Sequence, residues 1–281
     1  MPRTLKSLKT PLRYPGGKSR AVPKLLQYLP NLFQVKEFRE PFLGGGSVAL
    51  EITKRYPHID IWVNDLYEPL YNFWCELQHN GQELQDALLG IKTIYCNPDA
   101  ARCLFTSSKE QINDSDLSNF DRAVAFYIVN KCSFSGLTES SSFSAQASES
   151  NFSTNGIERL TEYSEIIERW KITNLSYESM LCDDKDTFIY LDPPYDIKDN
   201  LYGKKGDMHK RFDHDKFAHD CDHHTCPMLI SYNSDQIIRD RFYEWTVGEF
   251  AHTYTMRSVG CYNIDQATRK ELVLTNYEMR S

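Results

Sequence analysis

Short apolar runs rich in β-branched and aromatic residues recur along the chain, at residues 35–38, 59–63, 172–175, 188–191, 228–232, 245–250 and 272–274. Several end in acidic or turn residues, as buried parallel strands do before a helix. Between them, apolar positions return at helical spacing over 18–28, 48–55, 69–89, 120–131, 157–170 and 234–244. Alternating strands and helices predict an α/β fold on a parallel sheet, and no repeat at a solenoid period interrupts the pattern. One stretch breaks the rhythm. Residues 133–153 hold nine Ser in 21 positions, with Phe134, Phe143 and Phe152 spaced among them. Composition alone suggests a linker, but three large rings gain nothing by staying solvated. Residues 68–171 therefore read as a mainly helical insert between two parts of one α/β domain, 1–67 and 172–281.

A chain of 281 residues with 41% hydrophobic and 13% aromatic content can bury a core, which excludes disorder. It has no apolar run of roughly 18 residues, and residues 1–30 show no secretory signal pattern. Eight Cys in a chain this long fit free thiols in a reducing compartment, so a cytoplasmic location is expected. The formal charge of −7 argues against a general nucleic-acid coat. That sum hides an asymmetry: residues 1–36 carry eight basic residues and no acid. The cluster reads either as a solvated arm or as a contact for a polyanion or a ligand carboxylate.

Three motifs carry chemistry. Glu40-Pro41-Phe42-Leu43-Gly44-Gly45-Gly46-Ser47 follows a predicted strand and opens a helix, where glycines let backbone amides approach a ligand. Asp65 lies about 20 residues further on, where an acid accepts from ribose hydroxyls. Together they indicate an adenosine-type cofactor, leaving nicotinamide dinucleotide and S-adenosylmethionine open. Tyr14-Pro15-Gly16-Gly17-Lys18-Ser19 invites a P-loop reading, which fails because Leu12 stands where that loop needs glycine. The third motif, Asp192-Pro193-Pro194-Tyr195, ends an apolar strand. Prolines hold carbonyls outward as acceptors, Asp192 adds a carboxylate and Tyr195 a stacking ring, a set suited to a planar amino group.

Taken in order, these motifs resemble the Dam-type (alpha-group) DNA adenine-N6 methyltransferase family over nearly the whole chain, with residues 257–274 matching its C-terminal motif. The resemblance implies a Rossmann-like S-adenosylmethionine-dependent sheet with an inserted DNA-recognition domain, 68–171, containing a hairpin. It implies cofactor contacts from Tyr14, Gly17, Lys18, Phe42, Gly44, Gly46, Ser47, Asp65 and Asp192, with Lys18 near the cofactor carboxylate or the active-site loop. Asp192 and Pro193 would accept the adenine amine's hydrogens, with Pro194 and Tyr195 completing the catalytic motif and Tyr195 stacking on a base flipped out of duplex DNA. DNA contacts are expected from Lys131, Ser133, Phe134, Ser135, Lys204, Lys205, Lys210, Arg211, Arg257 and Asn263. The implied setting is a prokaryotic or phage-encoded, nucleoid-associated enzyme, monomeric or weakly dimeric, with a cognate restriction nuclease as a conceivable companion.

Departures from the family pattern narrow this. The segment after Asn130 is rich in Ser and poor in Arg, so guanine readout by a bidentate Arg, and with it the familiar GATC specificity, does not carry over. Residues 198–216 hold six basic residues against four Asp and read as a loop over the nucleotide or as a solvated loop. The Cys/His cluster at 219–226 matches no paired zinc spacing, so no metal is expected. The competing readings are methylation of RNA or a protein amide, a non-catalytic nucleic-acid-binding relic, and a nicotinamide dehydrogenase, which would leave Asp192–Tyr195 without a purpose.

Overall fold

The computed structural model describes residues 9–14, 16–134, 138, 140–195, 212–251 and 270–279. Seven strands form one sheet: β1 (Glu37–Glu40), β2 (Asp60–Asn64), β3 (Lys171–Thr173), β4 (Thr187–Leu191), β5 (Met228–Asn233), β6 (Thr246–Ala251) and β7 (Lys270–Thr275), in the order β3-β2-β1-β4-β5-β7-β6. The first five strands pair in parallel, whereas β7 runs antiparallel to both β5 and β6. The wholly parallel expectation is thus corrected at one side of the sheet. Every residue of β4 is buried, as a central strand covered on both faces requires. The chain leaves β1 towards β2 on one side and returns as β4 on the other, so β1 and β4 flank the switch point where ligands enter such sheets.

Alternation along the strands sorts the core onto two faces. Phe38, Phe188, Tyr190, Leu229 and Val273 point to one face, and Ile189, Leu191, Ile230, Tyr232, Leu272 and Leu274 to the other. The first face receives α1 (Val22–Leu25) and α2 (Ser47–Arg55); the second receives α10 (His214–Asp222) and α11 (Gln236–Arg241), numbered after the helices of the crossover below. The expected helix over 18–28 is shorter than its periodicity suggests: a 3-10 turn (Lys18–Arg20) precedes the four residues of α1.

The crossover from β2 to β3 is helical: α3 (Glu68–His79), α4 (Gly81–Ile94), α5 (Pro98–Gln111), α6 (Asn119–Cys132), α7 (Ala145–Ser150), α8 (Thr154–Ile157) and α9 (Leu160–Ile167). In α3 the buried positions 69, 70, 73, 74 and 77 form one stripe, and Trp74 meets Trp170 while Phe73 meets Phe126 and Tyr127. The apolar period over 69–89 spans two helices, not one, because the chain turns at Asn80 between α3 and α4. Helix α5 has no counterpart among the predicted helices. Its stripe, Ala101, Leu104, Phe105 and Ser108, holds only two large apolar residues, and its clearest signal is a cap: Asn97 accepts from the Ala100 N–H at 2.9 Å, with Pro98 at the first position. In the Ser-rich stretch Phe152 is fully buried and Phe143 stacks near Phe105, while Phe134 is exposed. Ser133 and Phe143 form one antiparallel bridge, flanked by bonds from Phe134 N to Ser142 O and from Ser144 N to Cys132 O. Among the described residues, no helix is long and apolar enough to cross a membrane.

Gly81 marks the tightest helix contact. A Cβ there would stand 2.4 Å from Cβ of Ser164 on α9. Gly81→Ala should therefore destabilise by about 1–3 kcal/mol in urea unfolding. Without that contact the same change would stabilise, since alanine is the better helix former by about 1 kcal/mol.

Candidate active site

The sequence places polar residues in register at the carboxyl ends of the central strands. Glu40 follows Phe38, Asp192 follows Tyr190, Ser231 follows Leu229 and Glu271 precedes Val273, each two positions from a residue facing the side where the N-terminal segment packs. Because β7 is antiparallel, its beginning lies at this same end, with Glu271 opposite Asn233 of β5. A parallel strand would put that carboxylate at the far edge.

Lys18 closes this row. Its side chain is 4% exposed, and its ammonium lies 2.8 Å from Asp192 Oδ1 and 3.1 Å from Glu271 Oε1. The same nitrogen donates to the Tyr195 hydroxyl at 2.6 Å, and that hydroxyl donates to Glu271 Oε1 at 2.5 Å. Burial works to lower the Lys18 pKa, but Asp192 and Glu271 outweigh it, so the ammonium is held protonated. Asp192 Oδ1 also accepts from Ser231 Oγ at 3.0 Å, and that hydroxyl meets the Tyr190 hydroxyl at 2.8 Å. Among the described residues no donor meets Asp192 Oδ2. Burial raises the Asp192 pKa; Lys18 opposes this and Glu271 reinforces it. The Tyr195 ring stacks on Tyr232, with centroids 5.7 Å apart, and the Tyr232 hydroxyl meets His214 Nδ1 at 2.6 Å.

The glycine turn lies beside this cluster. Gly44 and Gly46 have φ of 49° and 68°, and a Cβ on Gly46 would come within 2.9 Å of the Trp74 ring. Tyr14 packs against Gly44, while its carbonyl accepts the Gly17 N–H at 3.0 Å. Ser47 Oγ meets Ser19 Oγ at 2.8 Å, tying the two N-terminal motifs together. Asp65 accepts the Gly44 N–H at 2.8 Å and the Tyr67 N–H at 3.0 Å, one on each oxygen. Burial pushes its pKa up to about 6 against those two bonds. Phe42 joins the other face, stacked with Tyr177 at 5.7 Å.

The structure thus gathers Lys18, Asp192 and Tyr195 around shared atoms, with Tyr14, Gly17, Gly44, Gly46, Ser47 and Asp65 along the neighbouring turn. Two members of the cluster went unmarked in the sequence. Glu271 is fully buried; its signal was a lone acid entering an apolar strand. Glu40 is 3% exposed, accepts the Ala49 N–H at 2.8 Å, and has its pKa raised well above normal by burial, with Asp192 and Asp65 adding to it. Lys18 thus meets two carboxylates, Asp192 and Glu271, and its charge is felt by Glu40 as well.

Of the predicted DNA-contacting residues, Lys131, Ser133 and Phe134 are described. Lys131 is 9% exposed, its pKa brought down to about 8 by burial and then by the charge of Arg13, with its ammonium 5.2 Å from the Tyr127 ring centroid. Ser133 is buried and Phe134 is 48% exposed. Arg13 links this region to the site: its N–H donates to Asn130 Oδ1 at 2.9 Å and its guanidinium to the Ser133 carbonyl at 2.8 Å. Ser135, Lys204, Lys205, Lys210, Arg211, Arg257 and Asn263 lie outside the described residues.

Residues 14–256 match the family described as D12 class N6 adenine-specific DNA methyltransferase. A type II methyltransferase of Methanocaldococcus jannaschii is 22% identical over 198 residues, 66% of this chain and 68% of the relative. A DNA adenine methylase of Vibrio cholerae serotype O1 is 28% identical over 189 residues, 66% of this chain and 64% of the relative. A type II methyltransferase of Lactococcus lactis subsp. cremoris is 21% identical over 284 residues, 94% of each chain. The aligned parts therefore span about two thirds of the first two relatives.

The raised pKa of Asp65 has a thermodynamic consequence. A carboxyl that binds its proton more tightly when folded favours folding fully below the unfolded value, and that contribution is lost as pH rises through the folded one. Between pH about 4 and 6 the wild type should lose about 2–3 kcal/mol relative to Asp65→Asn, beyond a pH-independent offset. Urea unfolding of both proteins across this range measures the difference; parallel profiles would refute it.

Proposed function

The chain belongs to the D12 class N6 adenine-specific DNA methyltransferase family, and from that premise we propose that it transfers the methyl group of S-adenosylmethionine to N6 of an adenine flipped out of duplex DNA. The observation that carries this reading is the asymmetry of Asp192. Oδ1 is held by Lys18 and Ser231, while no donor among the described residues meets Oδ2, which leaves one carboxylate oxygen for an incoming amine.

The chemistry needs that arrangement. The lone pair of an adenine amine is delocalised into the ring, so N6 is a poor nucleophile. Two acceptors on its hydrogens, Asp192 Oδ2 and the Pro193 carbonyl, draw the nitrogen towards tetrahedral geometry and aim its lone pair. Pro193 and Pro194 keep the carbonyls in place because their φ angles are fixed, and Tyr195 offers a ring face to the base. Asp192 works here as acceptor and orienter. When bound, S-adenosylmethionine supplies an electrophilic methyl group on a positively charged sulfonium. The residues fit such a cofactor: two carboxylates, Asp192 and Glu271, meet the buried ammonium of Lys18, which leaves negative charge beside the glycine turn. Tyr14, Gly17, Lys18, Phe42, Gly44, Gly46, Ser47, Asp65 and Asp192 are the residues proposed to hold it.

Residues 68–171 are proposed to recognise DNA, with Lys131, Ser133, Phe134 and Ser135 as contacts, and residues 1–67 and 172–281 to form the catalytic domain. Lys204, Lys205, Lys210, Arg211, Arg257 and Asn263 are proposed as further DNA contacts. The type II names of two relatives support a place in restriction–modification, inside a prokaryotic or phage-infected cell.

Incubation with methyl-labelled S-adenosylmethionine and duplex DNA should yield labelled N6-methyladenine, and Asp192→Asn should slow this by about a thousandfold. Label in RNA or protein alone would overturn the DNA assignment. An Asp192→Asn variant as fast as wild type would overturn the catalytic one.

A further inference from the structure

Glu271 is fully buried at the start of β7, and its next three neighbours, Leu272, Val273 and Leu274, are apolar core residues. A carboxylate taken out of water is costly unless paired, and an apolar residue would serve the sheet at least as well. Among the described residues it meets Lys18 and Tyr195, both at the proposed site of methyl transfer.

We propose that Glu271 is a positioning residue for methyl transfer, acting through Lys18 on Asp192 and through the Tyr195 hydroxyl on the ring that receives the base. The proposal rests on the methyltransferase reading of Asp192–Tyr195. The geometry supplies the logic. The Lys18 ammonium is drawn between Asp192 Oδ1 and Glu271 Oε1, at 2.8 and 3.1 Å, and so stays away from Oδ2. The Tyr195 hydroxyl is gripped on both sides, accepting from Lys18 and donating to Glu271, while its ring lies on Tyr232. Removing the Glu271 charge frees the ammonium to straddle both oxygens of Asp192 and leaves the Tyr195 hydroxyl with an uncharged, weaker acceptor.

Among the described residues, the titratable groups facing Asp192 are Lys18 from the N-terminal segment, Glu271 from β7 and Glu40 from β1, with the phenols of Tyr190 and Tyr195 beside them. Glu271 raises the Asp192 pKa, so Glu271→Gln should move the Asp192 titration to lower pH. Carboxyl-carbon NMR of the full-length protein, assigned with Asp192→Asn, measures this without any substrate. In the methyl-transfer assay Glu271→Gln should lower kcat on the order of tenfold to a hundredfold, by more than it raises KM for S-adenosylmethionine. The acidic limb of its pH profile should shift the same way as the NMR midpoint. Glu271→Asp keeps the charge and shortens the reach, so kcat should fall while the Asp192 midpoint stays near wild type; it also serves if the Gln variant does not fold. Tyr195→Phe combined with Glu271→Gln should be no slower than the slower single variant. An unmoved Asp192 midpoint in Glu271→Gln, or losses that simply add in the double variant, would overturn the proposal. If wild type labels no adenine, the methyltransferase reading falls, and the NMR titration alone decides whether Glu271 governs Asp192.

Discussion

One ammonium group sets the terms for the rest of the site. Lys18 is almost wholly removed from water and lies between Asp192 and Glu271, two carboxylates carried by different strands of the sheet. A buried charge that loses its partner is destabilising by about 3–5 kcal/mol, so the three groups fix one another. The N-terminal segment must dock against the sheet for the strand ends to be electrostatically tolerable. That dependence also explains why Lys18 is preceded by a tight turn: the Gly17 N–H bonds back to Tyr14, and Ser19 reaches Ser47 at the head of α2. The segment before the first strand is thus part of the site.

The sheet topology supplies the other half of the arrangement. Parallel strands β1, β4 and β5 bring Glu40, Asp192 and Ser231 to one edge, on the face that the N-terminal segment covers. The antiparallel return of β7 then delivers Glu271 to that edge from the opposite chain direction. Two-residue periodicity does the remaining selection, since a slip of one residue would turn each of these side chains to the other face.

Much of this was legible beforehand, for physical reasons that differ from residue to residue. Continuous apolar runs at 188–191 and 228–232 coincide with the two innermost strands of the buried part of the sheet, because burial on both faces leaves no room for polar alternation. Asp192–Tyr195 stood out because Asp-Pro-Pro has no use in the interior of a strand or helix. Other features were hidden. Glu271 sits 76 residues from Tyr195 in sequence and meets it only through the fold. The antiparallel direction of β7 leaves no trace in its own residues. The break between α3 and α4 was masked because apolar spacing runs through Asn80, and the reason for Gly81 is the distant Ser164. Helix α5 escaped because only Leu104 and Phe105 of its buried face are large apolar residues, the others being Ala101 and Ser108.

The basic cluster in residues 1–36 takes on a different meaning in three dimensions. As a linear pattern it offered a solvated arm or a contact for a polyanion. In the fold, much of its charge is engaged internally. Lys18 serves the carboxylates of the site, Arg13 bonds the Ser133 carbonyl, Lys24 caps the Ala251 carbonyl on the edge strand, and Lys36 pairs with Asp186. These bonds run to the sheet, its edge and the Ser-rich segment, so the cluster fastens the N-terminal segment to three separate parts of the molecule. An ammonium already paired with a carboxylate adds little to long-range attraction for phosphate, because the pair is seen from a distance as a dipole. Of the four, only Lys18 and Lys36 are paired in this way; Arg13 and Lys24 meet neutral carbonyls and keep their charge towards a polyanion. Counting charges along a sequence cannot make this distinction; knowing what each cation meets does.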